Sequence, residues 1–298
     1  MPKQPAHTPP PTNNVPETVD PMWLLTAAAV VVIVAMVCGY AAMCGLYYRG
    51  QWQIVLHPLH TERHQPDEYG LQPEAVRFGS DSTGQPQLHG WWFASDARNA
   101  PAVLMLPSGD GSAGDLLARA KLFHDLRLNV LLFDYRGAGE SLGNHPSQHT
   151  MRQDAAAALA FLDSRGVSEA QTLVYAKGVG ASLAVELCQQ HATLPALILE
   201  AVDGDFATRA RLDPRSRIVP FRALFHEDFP LATPLHKLQT PKLLIASTEG
   251  APPAVYQQAS APKMQLELPS NAPEQDLQTG IHRFLGMYVA LPPATLQP

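Results

Sequence analysis

The sequence predicts a mostly parallel, doubly wound α/β sheet, and three observations carry that expectation. Apolar runs such as Ala102–Leu106 and Asn129–Phe133 are continuous rather than alternating, as strands covered on both faces require. Segments with helical spacing lie between these runs, so strand and helix take turns along the chain. Gly, Pro, Ser and Asp cluster at the joints.

Taken in order, residues 1–21 carry seven prolines and no apolar run, which predicts a disordered tail. From Met22 to Tyr48 no charged residue interrupts the apolar run, which is long enough to cross a bilayer with some tilt. Trp23 near one end and Tyr47 and Tyr48 at the other suit the two interfaces. A cleaved signal core is shorter and ends in small residues, whereas this run ends in Leu46-Tyr47-Tyr48-Arg49, so an uncleaved single-pass anchor is expected. Arg49 and Arg63 on the downstream flank against Lys3 on the tail bias residues 49–298 toward the cytoplasmic side, without deciding it.

Within residues 49–298, Glu74–Phe78 and Gln87–Ala94 flank a turn cluster and predict an antiparallel hairpin. The alternating part follows, with strands at 102–106, 129–133, 171–176, 196–200, 242–247 and 264–268. Helices are expected at 115–126, 151–165, 180–191 and 277–291. Residues 203–238 break the rhythm, which marks a cap or lid.

Composition excludes several classes of function. The chain has 298 residues with 21 Lys plus Arg against 27 Asp plus Glu, so no basic face argues for nucleic acid. Cys188 is the one cysteine of the expected globular part, so no disulfide can form within it. No His/Cys cluster has metal-ligand spacing, and neither a metal nor a cofactor is expected.

Asp134-Tyr135-Arg136-Gly137-Ala138-Gly139-Glu140-Ser141 follows an apolar strand and matches a DxRGxGxS loop. Asp154, Leu197–Glu200 and Phe229-Pro230-Leu231 leading into Thr240–Ile245 add further matches. Together these resemble the membrane-anchored α/β-hydrolase (abhydrolase) family of serine hydrolases. That resemblance implies an α/β-hydrolase fold with a small cap and a Ser-His-Asp triad. It also implies that Asp134, Arg136 and Gly137 brace the loop at the floor of the site.

The triad positions do not carry the residues that the family needs. The nucleophile belongs on a sharp strand-to-helix turn, G-x-S-x-G, which here reads Ala176-Lys177-Gly178-Val179-Gly180. Gly178 has no side chain to attack with, although glycine suits the positive φ of such a turn. The acid position falls on Gly250, beside Glu249, and Pro273 stands nearest the expected histidine. Proline offers neither a base nor a donor.

The resemblance therefore implies a pseudo-hydrolase that binds a lipid or a membrane protein at the bilayer. Ser108, Gly109, Lys177 and Val179 are then its candidate binding residues. The alternative is an active esterase, lipase or thioesterase with a relocated nucleophile. Ser108 and Ser182 are candidate nucleophiles, His226 or His145 the base, and Asp110 or Asp203 the orienting acid. A lyase that uses the pocket without a serine is a third reading, for which no acid/base pair stands out.

Overall fold

The computed structural model describes residues 21–202, 206–250, 252–289 and 291. Residues 1–20 of the expected tail and Asp203 fall outside them. Two units divide at Leu46. The first is helical throughout its described part, because α1 runs Pro21–Gly50 and meets no charged residue before Arg49. It is long and apolar enough to cross a membrane.

The second unit holds one eight-stranded sheet. Its strands are β1 Glu74–Ser80, β2 Pro86–Phe93, β3 Ala102–Leu106, β4 Asn129–Phe133, β5 Thr172–Lys177, β6 Leu197–Glu200, β7 Lys242–Ser247 and β8 Lys263–Leu268. They lie in the order 8-7-6-5-3-4-2-1. β1 and β2 form the expected hairpin, β2 joins β4 antiparallel, and every later pairing is parallel.

Alternate residues of the inner strands feed two apolar layers. Leu104, Leu106, Val174 and Leu199 face one layer, and Val103, Met105, Tyr175 and Ile198 face the other. The first layer is covered by α3 Gln148–Ser164 and α4 Gly180–Gln190, and the second by α2 Leu117–Asp125 and α5 Glu274–Tyr288. Burial on both faces is why these strands read as unbroken apolar runs.

Three helix starts differ from the sequence expectation. α3 begins at Gln148 rather than 151, because Ser147 accepts from Thr150 N–H and the Thr150 hydroxyl answers the Ser147 N–H. α5 begins at Glu274 rather than 277, after Pro273 and with Glu274 and Asp276 in its first turn. The helix expected from 115 opens as a 3-10 turn over Ala113–Leu116 and becomes α2 at Leu117. The cap expectation over 203–238 corresponds, in its described residues, to short helical pieces at Phe206–Ala210, Pro214–Arg217, Phe221–Leu224 and Ala232–Lys237.

Candidate functional site

The turn after β5 takes the chain from strand to helix within two residues. Lys177 closes the strand, Gly178 takes φ +57°, and α4 starts at Gly180. Gly180 lets the helix pass directly over the end of β3, since a Cβ there would lie 2.6 Å from the carbonyl oxygens of both Leu106 and Pro107. The space above Gly178 is already taken. A Cβ on Gly178 would meet Ser108 Cβ at 2.8 Å and Ser108 Cα at 3.3 Å.

Ser108 belongs to the loop after β3, and its hydroxyl turns back on that loop. It donates to the Asp110 carbonyl at 3.0 Å and accepts from the Asp110 N–H at 3.2 Å. The Asp110 carboxylate in turn holds His57, accepting from its backbone N–H at 3.1 Å and meeting its ring Nδ1 at 2.9 Å. This pairing aligns His57-Pro58 parallel to Asp110-Gly111. Among the described residues, no hydrogen bond joins Ser108 to a histidine.

Asp134 and Arg136 tie the loop over residues 134–141 to its neighbours. Asp134, buried, accepts the Ala113 N–H at 2.7 Å. Burial, reinforced by the Glu62 carboxyl, pushes the Asp134 carboxyl well above its usual range. Arg136 binds Asp154 through its Nε at 2.6 Å and its backbone N–H at 2.9 Å, and reaches Thr150 and Gln153 through Nη2. Gly137, at φ +80°, lies so close to the chain at His145 that a Cβ would come within 2.6 Å of its Cα.

The large cavity lies to one side of the turn, over the ends of β6, β7 and β8, and measures about 760 Å³. Arg119, Glu200, Glu249, Gly250, Ser270 and Glu274 line it, whereas Gly178 and Ser108 do not. Its inner wall is a fixed ion pair. Arg119 forks onto Glu200 with two bonds of 2.9 Å, and the Tyr175 hydroxyl donates to the same carboxylate at 2.9 Å. Burial raises the Glu200 carboxyl, but the Arg119 bonds and charge, the Tyr175 hydroxyl and the Lys177 charge together bring it below its usual range. Among the described residues no group of three His, Cys, Asp or Glu gathers to hold a metal.

The chain matches no protein-family model. It is 30% identical over 225 residues to protein Rv2307c of Mycobacterium tuberculosis, covering 74% of this chain and 76% of that one. It is also 30% identical over 169 residues to the lysophosphatidylserine lipase ABHD12 of Rattus norvegicus, across 50% of this chain and 41% of the lipase. In fold it resembles the esterase Pf2001 of Pyrococcus furiosus, with a TM-score of 0.61 at 15% identity, over 79% of this chain and 98% of the esterase. The chain belongs to the α/β-hydrolase (abhydrolase) family.

β5 leads straight into the turn at Gly178, the position that the sequence reading gives to the nucleophile elbow. Gly250 follows β7 in open space, with nothing within 4 Å of a Cβ, and Glu249 beside it is exposed. Pro273 caps α5 next to the cavity-lining Glu274. Lys177 is half-buried opposite Glu200 in the sheet register, and Val179 is buried. Gly109, at φ +76°, packs against Leu56, Val179 and Met151.

Among the described residues, the substitutes weighed from sequence hold other bonds. Ser182 is buried in the first turn of α4 and donates to the Pro230 carbonyl at 2.8 Å, which corrects its reading as a nucleophile. Ser182→Ala should cost about 1 kcal/mol, the usual worth of such a bond, and leave any reactivity unchanged, as chemical denaturation and probe labelling would check. His226 is also corrected as a base for Ser108. Its Nδ1 sits 2.6 Å from Gln51 Nε2, and its ring packs 4.5 Å from that of Tyr48. His145 stacks on Trp52 at 4.6 Å. The histidine tied to the Ser108 loop is His57, which the sequence reading missed because its partner Asp110 is 53 residues away.

Proposed function

We propose that this α/β-hydrolase is a membrane-anchored binding or accessory protein that performs no acyl-enzyme chemistry. The observation that carries the reading is the filled elbow. Gly178 offers no nucleophile, and the loop bearing Ser108 occupies the volume where a nucleophilic side chain would stand. Gly250 and Pro273, at the acid and histidine positions, supply neither carboxylate nor base.

In this reading α1 is the anchor, its downstream basic flank faces the cytoplasm, and the bilayer is a standing partner. The cavity beside the elbow, walled by Arg119 and Glu200, is the place for a ligand. A lipid or a membrane protein segment is the proposed occupant. A lysophospholipid is the first ligand to try, because one relative is named as a lysophosphatidylserine lipase.

One arrangement favours a second reading, hydrolysis by Ser108. His57 Nδ1 already meets the Asp110 carboxylate at 2.9 Å, one loop turn from the Ser108 hydroxyl. The two readings separate on a fluorophosphonate probe applied to the full chain in detergent. The binding reading expects no labelling above that of a heat-denatured control. Labelling that disappears in Ser108→Ala and in His57→Ala would establish the hydrolase instead.

A further inference from the structure

The cap departs in charge from the rest of the chain. Net charge is −6 overall, yet residues 206–225 hold five arginines, at 209, 211, 215, 217 and 222, against the single acid Asp213. Asp213 is committed to Arg215 through a two-pronged bond of 2.9 and 2.8 Å. Arg211, Arg217 and Arg222 are exposed, and none has an ion-pair partner among the described residues. Apolar side chains stand out among them, with Leu212 75% and Ile218 59% exposed. Phe221 and Phe225 stack at 4.7 Å, with the Arg211 guanidinium 5.6 Å over Phe221. Exposed arginines interleaved with exposed apolar and aromatic groups suit a headgroup layer, where apolar tips enter the acyl boundary and guanidiniums meet phosphates.

The position of the cap along the chain supplies the second observation. Tyr47 and Tyr48, where the apolar run ends, contact the cap within the sheet domain. The Tyr48 ring packs on His226 at 4.5 Å, and Tyr47 lies within electrostatic reach of Asp213 and Arg215. Gln51, three residues further on, is buried and locks the same segment. Its Nε2 donates to the Leu224 carbonyl at 3.1 Å, and its Oε1 accepts the His226 N–H at 2.7 Å. A chain that leaves a bilayer at Tyr48 therefore has Leu224 and His226 fastened to it within one helical turn, with Asp213 and Arg215 close to Tyr47.

We propose that the arginine-rich cap docks on the headgroups of an anionic leaflet at the foot of α1. The proposal rests on α1 spanning a bilayer. Three exposed guanidiniums near an anionic surface contribute enough together to slow local opening at least about tenfold at low salt. The apolar tips Leu212 and Ile218 then seat below the phosphates, and the mouth of the cap is held against the membrane rather than open to solvent.

The test is hydrogen–deuterium exchange of the full chain in nanodiscs of phosphatidylcholine, with and without phosphatidylserine. Amides of residues 211–225 should exchange about tenfold more slowly in the phosphatidylserine discs. Arg211→Gln/Arg217→Gln/Arg222→Gln should abolish the difference while exchange in β3 and β5 stays unchanged, which shows that the variant is folded. Equal cap exchange in both discs, with α1 amides protected, overturns the docking alone. So does a triple variant that keeps the slowing. Freely exchanging α1 amides overturn the spanning reading and this one together.

Discussion

Arg136→Ala should be among the most damaging single substitutions in the domain, costing about 3–5 kcal/mol, because it strips a paired guanidinium from a buried carboxylate. Asp154 is 2% exposed, and Arg136 Nε meets its Oδ1 at 2.6 Å. The same side chain also bridges Thr150 and Gln153, so α3 loses its tie to the loop over residues 134–141. Against a total stability of roughly 5–15 kcal/mol, such a loss removes a large share of what keeps the domain folded.

The pH dependence identifies the mechanism. Burial pushes the Asp154 carboxyl up and the Arg136 bonds and charge pull it back, leaving it at about 6 against an ordinary 3.8. Without the Arg136 side chain the backbone N–H at residue 136 still holds the carboxyl down, but the guanidinium's charge and bond are gone, so the native state of the variant keeps that proton to higher pH. A carboxyl raised in the native state binds its proton more tightly there than in the unfolded chain, and stability then falls as pH rises through that window. The Arg136→Ala penalty should therefore be largest near pH 8 and shrink toward pH 5, measured by chemical denaturation in detergent. Adding Asp154→Asn should recover about half of it at pH 8, because a neutral amide needs no counter-ion. A penalty independent of pH would mean that the lost contacts to Thr150 and Gln153, not the stranded charge, dominate.

The fold was legible because its determinants are local. Runs such as Ala102–Leu106 announce strands buried on both faces, and the loop from Asp134 to Ser141 announces the family. The tight turn at Lys177-Gly178-Val179 was legible for the same reason, since it sits between an unmistakable strand and helix. What escaped were pairings across long separations. Arg119 meets Glu200 from 81 residues away, and Gln51 meets His226 from 175. Nothing in the local pattern of either residue marks it as one half of a pair. The cavity was missed with them, because its wall is that Arg119–Glu200 pair and its rim comes from three separate loops. The start of α5 was missed for another reason. Pro273, read as standing at a histidine position, is the residue just before α5, and its carbonyl accepts the Asp276 N–H, so the helix starts directly after it.

Gly178→Ser tests whether a nucleophile alone could restart the site, and it should fail on two separate grounds. The first is structural. Serine at φ +57° bears the left-handed penalty that glycine avoids, about 1–2 kcal/mol, and its Cβ arrives 2.8 Å from Ser108 Cβ. That neighbour is a loop atom close to the backbone rather than the end of a flexible chain, so the loop itself must shift, which costs a further ~1–2 kcal/mol. Chemical denaturation should show a loss of about 2–4 kcal/mol in total. Ser108→Gly in the same chain removes the opposing Cβ and should return the contact share while leaving the backbone share. The second ground is chemical. A serine hydroxyl is a weak nucleophile without a base, and in the proposed binding reading Gly250 and Pro273 supply neither acid nor base to the elbow. Neither Gly178→Ser nor the Ser108→Gly double variant should then label with a fluorophosphonate. If the double variant labels, a base lies within reach of the elbow after all. His57 would be the first to replace, since it already holds Asp110 at the edge of the loop that closes the site.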